Sequence, residues 1–252
     1  MPKKNQSKFI INERDRAIFS YLYEVKVATS NQIMRDVFTN VSKTVFYRRV
    51  KKYIQTGIVK RIGHFDGDKQ IISYSLSKNG LSKFILEKND HFLIKRCLSE
   101  AVIHDLALND IRHLFMSKKS VSNYLTENVL NSHGSMVADK MYEDYRRCGS
   151  DAFIELTMNN KKIFAAIEYE QTLKYTNRYI DLFGKYYSTY DIDAIFYIAS
   201  DKRILTNVQK VEKMMRNQMR PKVFFALMSD LKNNPNCLTF TSTKENTMIK
   251  IS

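Results

Sequence analysis

The stretch DAFIELTMNNKKIFAAIEYEQT, residues 151 to 172, does most to limit what this chain can fold into. Asp151 to Thr157 alternates apolar and polar side chains, the period of a half-buried strand. Asn159-Asn160 follows, a pair tolerant of positive φ and favoured in tight hairpin turns. Ile163 to Ile167 is then continuously apolar, as in a strand covered on both faces.

If Asn159 and Asn160 are the two turn residues, the register places Asp151 opposite Glu168, and opposed residues have Cα atoms about 4.5 to 5.5 Å apart. Glu170 lies on the same face, two residues on. Carboxylates that close repel, unless one stays protonated or a cation sits between them. Oxygen ligands of this kind suit Mg²⁺ or Mn²⁺. The alternative is a register slipped by one, or acids at a solvated strand end.

Net charge separates two parts of the chain. The 252 residues carry 41 Lys+Arg against 26 Asp+Glu, a formal +15. Residues 1 to 90 hold 18 and 8 of these, net +10, and residues 91 to 252 hold 23 and 18, net +5. Such an excess points to a polyanionic partner, above all nucleic acid, the alternative being a merely solvated basic surface. With 44% hydrophobic residues and thirty Phe and Tyr, the chain has ample apolar surface to repay ordering. Cys97, Cys148 and Cys237 fit neither a zinc pattern nor a disulfide framework, so free thiols and a cytoplasmic setting are expected. The longest apolar runs, such as Ala194 to Ala199, span six residues, too few for a transmembrane helix, and no signal peptide is expected.

In residues 1 to 90, Asn12 caps a helix from Glu13 to Val25 with Ala17, Ile18, Tyr21, Leu22 and Val25 on one face. A short helix after Thr29 or Ser30 buries Ile33, Met34, Val37 and Phe38. Ser42 caps a third helix that runs to about Thr56 and is stopped by Gly57. Its apolar stripe is Phe46, Val50, Tyr53 and Ile54, while Lys43, Arg48, Arg49, Lys51 and Lys52 crowd the rest, and no acid occurs from Val41 to Phe65. A solvated helix would mix signs for i, i+4 pairing. Ile58 to Ile62, a loop to Asp68, and Gln70 to Leu76 form a strand, loop and returning strand. Ser77 caps a further helix to about Glu87.

This order resembles a winged helix-turn-helix. The resemblance implies that Ser42, Lys43, Thr44, Tyr47 and Arg48 face base edges in the major groove of double-stranded DNA, and that Arg49, Lys51, Lys52, Lys60 and Arg61 neutralise phosphates. The domain boundary is expected near Glu87 to His91.

Beyond it, a long helix from about Lys95 to Lys118 carries Leu98, Val102, Leu106, Ile111, Leu114 and Phe115, with His104 and Asp105 among its polar residues. Around the hairpin, the pattern predicts a strand or irregular segment near Val121 to Leu130, helices over Leu173 to Thr189 and Arg203 to Met215, and strands over Ile192 to Ala199 and Val223 to Met228. The order α-β-β-β-α-β-α-β resembles the PD-(D/E)xK restriction-endonuclease-like fold. Asp151 matches the Asp of that motif and Glu168 its second carboxylate. Ser150 stands where the proline is usual and Glu170 where the lysine is, with Gln171 and Lys174 as candidate substitutes.

The expected architecture is therefore mixed α+β or α/β. A winged helix-turn-helix over residues 1 to 90 precedes a nuclease-like mixed sheet flanked by helices over 91 to 252. Together with the Gly149 to Ala152 step and the IEYEQT segment, the whole resembles the replication-relaxation family of plasmid and mobile-element proteins, which includes relaxases of the MOB-C class. That resemblance implies metal-dependent nicking of one DNA strand. Asp151 and Glu168, with the Tyr169 carbonyl, would hold Mg²⁺ or Mn²⁺; Glu170 would ligate a metal or orient water, Lys174 would offset charge, and His104 joins the catalytic candidates. The rival is a non-catalytic replication factor, mobilisation accessory or repressor whose second domain serves partner docking or a homodimer. There is no P-loop or other nucleotide-cofactor motif, no GxSxG elbow and no zinc motif.

Overall fold

The computed structural model describes residues 10–39, 41–86, 99, 101–132, 140–216, 222–244 and 247–252. The chain divides into two compact units, Met1–Leu106 and Ala107–Ser252. The boundary expected at Glu87 to His91, the start of the helix expected from Lys95, and Cys97 lie outside the described residues.

In the first unit, α1 (Glu13–Val25) opens with a capping box. The Asn12 side chain accepts from the Asp15 amide at 3.0 Å, and Asp15 accepts from the Asn12 amide at 2.8 Å. After β1 (Ala28–Thr29), α2 (Ser30–Asp36) opens with the same device, built from Thr29 and Gln32. Ser42 caps α3 (Lys43–Gln55), and Gly57, at φ 69°, turns the chain into β2 (Val59–Asp66). β3 (Lys69–Leu76) returns antiparallel, giving a three-stranded sheet in the order β1-β3-β2. The strands run closer to the turn than the composition suggested. Gly63 to Asp66, expected as loop, pair with Ile72 to Lys69, because the turn needs only Gly67 and Asp68. Ser77 caps α4 (Lys78–Leu81), which continues as a π-helical turn, Ser82–Leu86. Phe19, Phe46, Tyr53, Tyr74 and Phe84 belong to one core shared by these elements.

α5 (Val102–Met116) spans the division between units. In the second unit follow β4 (Val121–Thr126), α6 (Glu127–Ser132), α7 (Lys140–Cys148), β5 (Ala152–Met158), β6 (Lys161–Glu170), α8 (Thr176–Tyr187), β7 (Ala194–Ala199) and α9 (Lys202–Arg216). β8 (Val223–Leu227), α10 (Met228–Asn233), β9 (Leu238–Thr241) and β10 (Met248–Ile251) complete it. The seven strands form one mixed sheet, ordered β10-β9-β8-β7-β6-β5-β4. β6 runs antiparallel to β5 and parallel to β7, and β7 runs parallel to β8. The segment near Val121 to Leu130 is thus a strand that gives way to a helix, and α7, α10, β9 and β10 add to the expected order.

Residue parity along the strands sorts the core into two layers. Ile154, Leu156, Ala165, Ile167 and Phe196 pack with Ile111, Leu114 and Phe115 of α5. Phe153, Ala166, Ile195, Tyr197 and Phe225 pack with Tyr145 of α7, with Tyr179, Phe183 and Tyr186 of α8, and with Ile204 and Val208 of α9. Both faces of β6 are therefore covered, as its continuous apolar run requires.

Candidate functional site: a carboxylate pair and a basic helix

The β5–β6 hairpin has the register its turn dictates. Asn159 and Asn160 both take positive φ, 50° and 61°, and Ala152 pairs with Ile167. One step beyond that pair, Asp151 lies opposite Glu168, its amide donating to the Ile167 carbonyl at 3.1 Å. Parity puts Asp151, Glu168 and Glu170 on the face that α7, α8 and α9 cover.

Each carboxylate has its own partners. Asp151 Oδ2 accepts from the Tyr169 amide at 2.7 Å. Glu168 is buried, and its Oε1 accepts a hydrogen bond from the Tyr186 hydroxyl, which lies 2.6 Å from Ser150 Oγ. Burial first, then the Asp151 charge, pushes the Glu168 carboxyl well above the usual carboxylate range, and Glu170 adds to the effect. Glu170 Oε1 accepts from the Thr172 amide at 3.3 Å and lies 3.7 Å from Lys174 Nζ, which also donates to Thr172 Oγ1 at 2.7 Å. Lys174, expected as a candidate substitute for a lysine at position 170, thus lies beside Glu170.

Hard oxygen donors at Asp151 and Glu168 fit a divalent cation such as Mg²⁺ or Mn²⁺ by type, with two carboxylates rather than three, since Glu170 is engaged by Lys174. Among the described residues, no group of three or more His, Cys, Asp or Glu side chains is placed to hold a metal. His104 falls in the first unit, its Nδ1 3.6 Å from Asp105. The candidates that come together are Asp151, Glu168, Glu170 and Lys174. Gln171 contributes its carbonyl to Ser200 Oγ at 3.2 Å. Tyr186 was missed as a partner of Glu168 because Tyr179, Phe183 and Tyr186 are spaced as an ordinary core stripe, and nothing local links that stripe to β6.

On α3, Ser42, Lys43, Thr44, Tyr47, Arg48, Lys51 and Lys52 are exposed, as are Lys60 and Arg61 on β2. Tyr47 Oη lies 3.1 Å from Ser30 Oγ. Arg49 differs from its neighbours. Its Nε donates to Asp15 Oδ1 at 2.7 Å, its Nη2 pairs with Asp15 Oδ2, and it also donates to the Ile10 carbonyl at 2.9 Å. Asp15 is 1% exposed and also accepts from the Tyr53 hydroxyl. Arg49, expected to contact phosphate, is thus engaged in an ion pair that joins α3 to α1.

Comparison with family models, with curated proteins and with solved structures gives no match for this chain. No helix among the described residues is long and apolar enough to cross a membrane.

Proposed function

We propose that this chain is a sequence-specific DNA-binding protein of a plasmid or mobile element, of the relaxase type, that nicks one DNA strand with a divalent cation. The observation that carries the reading is the meeting of Asp151 and Glu168 on one covered face, at the end of an interior strand. In the first unit, a winged-helix role for α3 and the β2–β3 hairpin is supported by an acid-free segment with exposed Lys43, Thr44, Tyr47, Arg48 and Lys51 on the helix, and Lys60 and Arg61 on the strand. Lys43 and Arg48 would read base edges with Ser42, Thr44 and Tyr47, and Lys51, Lys52, Lys60 and Arg61 would neutralise phosphates.

Asp151 and Glu168 would hold Mg²⁺ or Mn²⁺, which when bound supplies Lewis-acid stabilisation of phosphate charge and a more acidic water. Glu168 would have to be ionised to ligate the cation. Tyr186 keeps the Glu168 carboxylate oriented, the Tyr169 amide does the same for Asp151, and Lys174 offsets negative charge beside Glu170.

The test is cleavage of supercoiled plasmid carrying the cognate origin, with Mg²⁺ or Mn²⁺. The expected product is the nicked circle, abolished in Asp151→Ala and in Glu168→Ala. No nicking with metal and origin present, or nicking that survives both substitutions, overturns the reading.

A second reading is a DNA-binding replication or mobilisation factor whose second unit is structural. It is favoured by the partners the carboxylates already have, Tyr186 on Glu168 and Lys174 on Glu170. Thermal stabilisation by Mn²⁺ that disappears in Asp151→Asn supports the enzyme; an unchanged thermal midpoint supports the scaffold.

A further inference from the structure

Two tyrosines are almost fully exposed, Tyr175 at 91% and Tyr190 at 96%, and their surroundings differ. Tyr190 lies between α8 and β7 and is followed by Asp191 and Asp193, both exposed. Tyr175 lies between β6 and α8, at the opposite end of the parallel pair β6–β7, the end where Glu168 and Glu170 sit. Residues 171 to 180 carry Lys174 and Arg178 and no acid.

The segment that presents Tyr175 is tied down. The Ser200 amide donates to the Glu170 carbonyl at 2.9 Å, Ser200 Oγ to the Gln171 carbonyl at 3.2 Å, and the Lys174 amide to the Tyr179 hydroxyl at 2.9 Å. Lys174 Nζ comes to 3.7 Å from Glu170, so Tyr175 is the chain neighbour of a residue that touches the carboxylate group. The Tyr175 side chain makes no capping bond to α8, and its ring belongs to neither core layer. Arg178, exposed and three residues on, is its neighbour on the helix surface. Among the described residues no carboxylate forms an ion pair with Arg178, yet its charge reaches Glu168, whose ionised form it favours.

A DNA strand brought to three carboxylates meets repulsion, which Lys174 and Arg178 offset only in part. Stacking does not depend on net charge, because every base has a π-face that an aromatic ring can meet. Tyr175 offers such a ring beside cations, whereas Tyr190 offers one beside acids.

We infer that Tyr175 is a base-stacking residue for single-stranded DNA, with its ring against one base and Arg178 on the adjoining phosphate. The inference rests on the nicking reading, because a strand opened for cleavage is what brings unpaired bases to this end of β6.

The chain contains no Trp, so Tyr175→Trp installs a lone indole whose emission falls when a base stacks on it. Tyr190→Trp is the equally exposed control. The full chain carrying either substitution is titrated, without metal, with oligo(dT) and with an abasic oligomer of the same length. The expected result is quenching of Tyr175→Trp by oligo(dT), with none by the abasic oligomer and none in Tyr190→Trp. No quenching, or equal quenching by the abasic oligomer or in Tyr190→Trp, overturns the inference. In nicking of the origin plasmid, Tyr175→Ala is expected to lower kcat/KM by about 5- to 150-fold and Tyr175→Phe to restore it. A loss of the same size in Tyr175→Phe assigns the effect to the hydroxyl and overturns stacking. If Tyr175→Ala nicks as the parent does, the inference fails while the cleavage stands. Quenching in a chain that nicks nothing keeps the stacking and removes the cleavage.

Discussion

The Tyr186 hydroxyl donates to Glu168 Oε1 and joins α8 to the interior strand β6, with Ser150 Oγ 2.6 Å from the same hydroxyl. Tyr186 and Ser150 are both buried, so removing the hydroxyl strands two polar groups at once. Tyr186→Phe is expected to cost about 1 to 3 kcal/mol of stability, read by chemical denaturation. A loss below a few tenths of a kcal/mol shows that the hydroxyl bonds do not hold α8 in place.

The Asp15–Arg49 pair gives a pH dependence with a definite sign. Burial alone would raise the Asp15 carboxyl, but hydrogen bonds from Arg49, Tyr53 and the Asn12 amide outweigh it and hold the group below its ordinary value of 3.8. A carboxyl lowered on folding contributes stability that is fully present above its unfolded value and is lost as pH falls through the folded one. The first unit is therefore expected to weaken below about pH 4. Asp15→Asn flattens that acid limb and costs about 1 to 3 kcal/mol at neutral pH by removing the charge that Arg49 and Tyr53 bond. Urea titrations from pH 2 to 7 on both proteins check this, and an unchanged acid limb in Asp15→Asn contradicts it.

At Gly80 the backbone leaves no room for a side chain. A Cβ built there meets the Ile58 carbonyl oxygen at 2.2 Å, and that carbonyl accepts from the Ser77 amide at 2.9 Å. Neither backbone can yield without breaking the start of α4. Gly80→Ala is expected to destabilise by about 1 to 3 kcal/mol despite the helix preference of alanine. A thermal midpoint equal to or above that of the parent contradicts the crowding.

The Asn159-Asn160 turn tests the hairpin register. Both residues have positive φ, so Asn160→Gly relieves strain and is expected to be neutral or stabilising by a few tenths of a kcal/mol, whereas Asn160→Val costs about 1 to 2 kcal/mol. Equal midpoints for the two variants would mean that the turn does not set the register.

Local chemistry made some of this architecture readable from residues alone. Asn159-Asn160 and the run Ile163 to Ile167 suggest the alignment of Asp151 with Glu168, and the pairing of Ala152 with Ile167 excludes the register slipped by one. Asn12, Ser42 and Ser77 announced their helices by capping. What stayed hidden depends on distant partners. α7 offers only Met141, Tyr142, Tyr145 and Cys148 as apolar positions among charges, and its buried Tyr145 makes sense only against Phe153 of β5, 4.9 Å between ring centroids. Val121 to Leu130 carries no Gly or Pro near Thr126, and the change from strand to helix is marked by the Thr126 side chain, which accepts from the Val129 amide at 3.5 Å. Arg49 was indistinguishable from Arg48 in sequence; only Asp15, brought over by α1, separates an ion pair from an exposed charge.

β6 bonds to a neighbour on each side, antiparallel to β5 and parallel to β7, and lies beneath side chains on both faces. Its amides between Ala165 and Ile167 should therefore be among the last in the second unit to exchange with deuterated water, opening only with global unfolding. Glu168 is the next residue along that strand, so the backbone beneath the acid is fixed, and under the proposed function any adjustment to a cation would have to come from rotation of the side chains and of the Tyr186 hydroxyl.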